Sequence, residues 1–114
     1  MRVTSDFFVS ALVRRVFANG GFAAIEKRGS PEAGSIFIRQ LNRLGEITLY
    51  GPAPQSEIID DGKDDRLFEI RLKTTDRDEA DALLAREKRY DSDLWIVELE
   101  ADVLGDLIAV AKTG

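Results

Sequence analysis

Asp60, Asp61, Asp64 and Asp65 set four carboxylates around Gly62, inside the stretch LYGPAPQSEIIDDGKDDRLF that runs from residue 49 to residue 68. Hard oxygen ligands at that density suit a divalent cation, and a held cation or a pair of acids can drive hydrolysis. The spacing departs from the alternating Asp-x-Asp-x-Asp-Gly calcium loop, so the expectation is a weak cation site at most. Two other readings of the stretch compete with that one. In the plainer of them, GPAPQ leaves a strand stiffened by proline and the acids solvate a crossover loop. In the other, Tyr50, Pro52, Pro54, Gln55, Ser56, Asp65 and Arg66 form a loop that meets a ligand or a partner.

Other chemistries are closed to this chain. It has 114 residues with no histidine and no cysteine, so neither a Ser-His-Asp or Cys-His nucleophile nor an ordinary zinc site can be assembled. No Gly-x-x-x-x-Gly-Lys loop is present, and no glycine-rich turn follows a strand as a dinucleotide site requires. No cofactor is expected. A net charge of −5 disfavours nucleic acid as a partner, because phosphate contacts need a basic surface. Arg14 and Arg15 interrupt the apolar start where a signal peptide needs an unbroken core, and no apolar run approaches a membrane span. The expected setting is the cytoplasm, with no membrane contact.

The elements that must position any site are legible from spacing. Residues 5–19 read as a helix with Thr4 or Ser5 as N-cap and Asn19-Gly20-Gly21 as its stop. Its polar stripe is narrow: Asp6, Ser10 and Arg14 lie on one line with Arg15 beside it, while Phe7, Phe8, Val13 and Phe17 extend the apolar side. A second layer or a partner subunit should cover that side. Arg14 and Arg15 are candidates for an ion pair, with Asp61 or Asp65 as the partner, or for an anion contact.

Three strands should follow, at 22–27, 35–41 and 46–50, forming a meander whose last turn is Asn42-Arg43-Leu44-Gly45. Residues 67–73 alternate, with Phe68, Ile70 and Leu72 on one face and Glu69, Arg71 and Lys73 on the other. A capping box at Thr75-Asp76-Arg77-Asp78 opens a helix over about 76–90, with Ala80, Leu83 and Leu84 inward. LWIVELE, at 94–100, is an inner strand with Trp95 as a core anchor. Should the 67–73 and 94–100 strands pair, Glu69, Arg71 and Lys73 would form ion pairs with Glu98 and Glu100. The tail suits a helix by the spacing of Val103, Leu104, Leu107, Ile108 and Ala111, or a hairpin through Gly105-Asp106. The sum is one α+β domain over 1–114, in the order α-β-β-β-β-α-β plus one undecided element, with a mainly antiparallel sheet of about five strands.

The order helix, three strands, helix, strand is also that of the metal-dependent PD-(D/E)xK nucleases, and VRRVFANGGFAAIEKRG with LGEITL is similar to small members of that superfamily. Thr48 stands where such a nuclease carries a metal-binding aspartate, and LFEIRLK lacks the Glu-x-Lys pair, so this reading gives an inactive relative. A fuller resemblance covers nearly the whole chain. TSDFFVSALVRRVFANGGFAAIEKRG, EAGSIFIR, LYGPAPQS, DDRLF, ARE and YDSDLWIVELE together resemble a family of short bacterial proteins known as a domain of unknown function, DUF1491. Ser92 departs from the proline expected in the Asp-x-Asp-Leu-Trp turn. The resemblance implies a stand-alone cytoplasmic protein and supplies no catalytic residue. The favoured function is a non-catalytic binding or assembly module, whose partner is another protein or a second copy in a homodimer. A carboxylate or divalent-metal-dependent hydrolase is the alternative.

Overall fold

A computed structural model of the chain describes residues 3–54 and 66–111. Helix α1 spans Ser5–Ala18, and its N-cap Thr4 accepts the Phe7 amide at 3.1 Å. Asn19 closes it, and Gly20 follows at φ 85°, the left-handed conformation that glycine adopts without strain. The buried stripe is Ser5, Val9, Leu12 and Val16, spaced four, three and four apart as one helix face demands. The apolar excess noted in the sequence is not all covered: Phe7 remains 57% exposed and Phe17 50%.

Among the described residues six strands make one sheet, β1 Phe22–Lys27, β2 Ile36–Leu41, β3 Ile47–Pro52, β4 Leu67–Thr74, β5 Trp95–Glu100 and β6 Ala109–Val110, in the spatial order β1-β5-β2-β3-β4-β6. The second helix, α2, spans Arg77–Tyr90, and its N-cap is Asp76 rather than Thr75. The sheet is mixed, because β5 runs parallel to β2 and β6 parallel to β4. The expected meander of the first three strands is therefore broken, since β5 inserts between β1 and β2. WIVELE is apolar on both faces over most of its length, and such a strand is stable only with neighbours on both sides. The β1–β2 connection passes over the start of β5, where the Ser30 amide donates to the Asp93 carbonyl at 2.8 Å and the Trp95 amide to the Ser35 carbonyl at 2.7 Å.

The two helices lie on opposite faces. Val9, Leu12 and Val16 of α1 pack with Ile38, Trp95 and Leu99, and Leu104, Leu107 and Ile108 of the tail complete that core. Ala80 and Leu84 of α2 pack with Phe37, Leu49 and Ile96 on the other face. The tail is neither the helix nor the return hairpin expected of it. It buries three apolar side chains on the α1 face and ends as a two-residue strand on the far edge. The alternation of β4 is corrected too. Leu49 pairs with Leu72 and Tyr50 with Ile70, so Arg71 is the extra residue of a β-bulge. Phe68 consequently joins the α1 core while Leu72 packs on the α2 side.

Candidate functional site

The described candidates of the opening stretch, Tyr50, Pro52, Pro54 and Arg66, do not all meet at one point. Gln55, Ser56, Asp60, Asp61, Asp64 and Asp65, including the whole proposed cation set, lie outside the described residues. Tyr50 is buried in the α1 core, where its hydroxyl donates to Gln40 Oε1 at 2.9 Å and Gln40 Nε2 donates to the Ala101 carbonyl at 2.9 Å. It is a structural link between β3, β2 and the end of β5. Pro54 is exposed. Pro52 and Arg66 do come together, lining a cleft of about 210 Å³ with Ile36 and Phe68. Arg66 donates through Nη2 to the Val3 carbonyl at 2.6 Å and lies 5.4 Å above the Phe8 ring, so its guanidinium fastens the chain before α1 to the start of β4.

The other anchor of this stretch is Arg71, which the bulge aims across Gly51. Its guanidinium sits 5.4 Å from the Phe37 ring centre, donates to the Pro52 carbonyl at 2.7 Å and has Nε 2.9 Å from Glu69 Oε2. A Cβ on residue 51 would come within 2.8 Å of both Arg71 Cζ and Phe37 Cε2, which explains glycine before the prolines. Arg71 and Glu69 cannot pair with Glu98 and Glu100, because β2 and β3 separate β4 from β5. Arg15 donates through Nη2 to the Asp106 carbonyl at 2.8 Å and so ties α1 to the tail, while Arg14 is exposed. Thr48, at the nuclease-like position, is buried. Among the described residues, no three His, Cys, Asp or Glu side chains are grouped to hold a metal ion.

Burial raises the Tyr50 phenol above its ordinary value. The neutral form is the one that folds, so its contribution is complete below the unfolded value of about 10 and is lost as pH rises through the higher folded value. Tyr50→Phe is expected to cost about 1–2 kcal/mol at neutral pH, because Gln40 Oε1 loses its donor. Urea denaturation of both proteins at a series of pH values should show the gap narrowing in the alkaline range. A gap independent of pH would contradict the assignment.

A polar group that spacing did not disclose lies on the α2 face. Arg39 donates from Nε and Nη2 to the two oxygens of Glu26, at 2.9 and 3.0 Å, and from Nη1 to Asp81 Oδ1 at 2.7 Å. Desolvation works against its charge, but the hydrogen bonds and the two carboxylates outweigh it and raise the Arg39 pKa. Glu26 reaches this position because it is the extra residue where the β1–β5 register shifts. The group joins β1, β2 and α2 and leaves an arginine satisfied on two sides.

The larger concavity is at the end of the sheet where α1 turns into β1. A groove of about 420 Å³ takes its apolar lining from Val16, Leu41, Val103 and Leu107. Arg43 at its rim is fixed to Asp102, with Nε 2.6 Å from Oδ2 and the backbone amide donating to Oδ1 at 3.0 Å. Four exposed apolar side chains belong to the segments around it: Phe17 at 50%, Phe22 at 45%, Leu44 at 83% and Val103 at 76%. Phe17 and Phe22 meet edge to face, 5.7 Å between ring centres. Beside them runs β1, which pairs with β5 on one side and with no described strand on the other. Asn19, Asn42, Glu100 and Asp102 also line the groove, so its wall is mixed, with the Phe17–Phe22 ring pair in the segments beside it.

The fold is thus an α+β domain with one helix on each face of a six-stranded mixed sheet. The chain belongs to the DUF1491 family, described as a protein of unknown function, whose pattern matches residues 3–109. It is similar to the solution structure of protein Atu0922 from A. tumefaciens, with 53% identity and a TM-score of 0.86 over 100% of this chain and 98% of that one. A crystal structure of a DUF1491 protein from Caulobacter crescentus CB15 is 26% identical, with a TM-score of 0.80 over 98% and 100% of the two chains. The NMR structure of a DUF1491 protein from the same organism is 28% identical, with a TM-score of 0.79 over 98% and 99%. No curated protein matches the chain. Among the described residues no helix is long and apolar enough to cross a membrane.

Proposed function

We propose that this protein is a non-catalytic binding module that docks another polypeptide at the end of the sheet where α1 passes into β1. The observation that carries the reading is the Phe17–Phe22 pair, half exposed beside an edge of β1 that pairs with no described strand and a groove of mixed apolar and polar lining. Exposed aromatic rings lose favourable burial in water, and interface centres are enriched in them because they supply large contact area from few rotatable bonds. Scattered single apolar residues need no explanation, but exposed rings in mutual contact beside an edge strand form a patch.

The test is a photoreactive phenylalanine analogue placed at Phe22 and, as a control, at Tyr90 of α2, which is 82% exposed but far from the patch in sequence and layer. Irradiation in the producing cell is expected to give a discrete covalent adduct from position 22 and none from position 90. The reading is wrong if neither position gives an adduct or if both give the same smear.

A further inference from the structure

Resting on that reading, we infer that the polypeptide docked at this edge is a second copy of the chain, its β1 pairing antiparallel with β1 across a two-fold axis at Ala24. The direction of every backbone group on the edge follows from the hydrogen bonds of β5. The Trp95 amide donates to the Ser35 carbonyl and the Ala101 amide to the Leu41 carbonyl, so the odd residues of β5 turn their backbone groups towards β2. The even residues Glu98 and Glu100 then serve β1, where they oppose Ala24 and Phe22. Ala23, itself 5% exposed, and Ile25, partly buried, turn their N–H and C=O groups away from β5, two donors and two acceptors placed evenly about Ala24.

Only one antiparallel self-pairing satisfies all four groups in each copy. With Ala24 opposite Ala24 of the partner copy, each Ala23 faces an Ile25 and exchanges both hydrogen bonds with it. Shifting the axis towards Ala23 would require the Gly21 amide, which already donates to the Val16 carbonyl at 2.9 Å. Shifting it towards Ile25 would run into the register break at Glu26, the device that keeps this edge short. In the favoured register Ile25 meets Ala23 on the α1 face, and the axis passes between the two copies of Ala24, each with a side chain of a single methyl group. The register break at Glu26 ends the paired segment after Ile25, so no charged residue lies within it. The half-exposed Phe22 is thereby carried onto the neighbouring copy.

The absence of cysteine from the sequence gives a clean test. A non-hydrogen-bonded antiparallel pair has its Cα atoms about 4.5 Å apart, within the span a disulfide bridges. Ala24→Cys under mild oxidation is expected to form a linked dimer at least about tenfold faster than Ala82→Cys on the exposed side of α2, because pairing raises the local thiol concentration. Sedimentation of the wild type should show its mass doubling with concentration, and Ala24→Lys, which sets two ammonium groups face to face, should abolish the doubling while the circular dichroism is unchanged. A wild type that stays monomeric, with Ala24→Cys no faster than Ala82→Cys, overturns the inference. If the photoreactive group at position 22 still captures a discrete heavier polypeptide in that case, the binding-module reading stands with a different partner; if it captures nothing, both fall.

Discussion

Trp95→Ala is expected to lower stability by about 3–5 kcal/mol, the range for deleting a large buried aromatic ring. Trp95 is 2% exposed in the α1-side core, and its indole Nε1 donates to the Ser30 carbonyl at 2.8 Å. Two losses therefore act together. The ring's removal leaves a cavity between β5, β2 and α1 that the surrounding residues can only partly close, and the Ser30 carbonyl loses its donor in the loop that passes over the start of β5. A domain of this size is stable by roughly 5–15 kcal/mol, so about a fifth or more of the total is at stake. Thermal unfolding should show the midpoint falling by about 12–20 °C. Trp95→Phe separates the two losses: it retains most of the apolar volume and should lose about 1–2 kcal/mol, mainly the hydrogen bond. If Trp95→Ala melts within a few degrees of the wild type, Trp95 is not the anchor of that core.

Much of this fold is written in local spacing, and what is not written there depends on long-range choices. Both helices were legible because caps and a 3.6-residue apolar stripe are properties of one short segment, as at Thr4 with Val9, Leu12 and Val16. The hairpin at Asn42 was legible for the same reason, with Gly45 at φ 82° and Asn42 Oδ1 accepting from the Leu44 and Glu46 amides. The insertion of β5 between β1 and β2 was not, because consecutive strands usually pair and only the two-faced burial of a strand dozens of residues later overrides that habit. Nor was the bulge at Arg71 legible, since alternating residues look the same whether or not one of them is extra. The two-residue β6 is too short to carry any period.

The candidate site divides in the same way. The first helix showed its surplus of apolar residues directly in the sequence, and Phe7 and Phe17 are indeed exposed. Its continuation into Phe22 and the groove was hidden, because the walls come from α1, the β2–β3 hairpin and the segment after β5, which meet only in the folded chain. One signal was available: Phe22 opens a strand directly after Asn19-Gly20-Gly21, so a tight turn must set it near Phe17. The signature around Tyr50-Gly51-Pro52 was seen as a site candidate, yet its described part serves packing. Tyr50 holds Gln40, Gly51 makes room for Arg71, and the Pro52 carbonyl accepts from Arg71. Residues that fit one another closely leave a recognisable pattern in sequence whether or not they meet a ligand.

Gly34→Ala is the second large effect expected, of about 3 kcal/mol, through overpacking against backbone that cannot yield. A Cβ on residue 34 would run into the Asp93 carbonyl oxygen and approach the Ser30 amide nitrogen and carbonyl oxygen at 3.0 Å each. None of these is the end of a flexible side chain. The same short connection also caps α1: the Glu32 carbonyl accepts from the Ser5 amide at 3.1 Å, the Pro31 carbonyl from the Asp6 amide at 2.8 Å, and the Gly34 carbonyl from Ser5 Oγ at 2.6 Å. These bonds satisfy helix amides that would otherwise be orphaned beside a fully buried serine. Displacing residue 34 must therefore either push the start of β5 away from β2 or pull the connection off the first turn of α1. The prediction separates from a simple cavity or entropy effect by its location. Hydrogen exchange of Gly34→Ala should show lost protection at the first turn of α1 and at Trp95 together, whereas Gly45→Ala, in a turn with open space around it, should lose stability through its backbone conformation without changing either. A Gly34→Ala protein with wild-type protection at both places would show that the close approach to Asp93 does not constrain the fold.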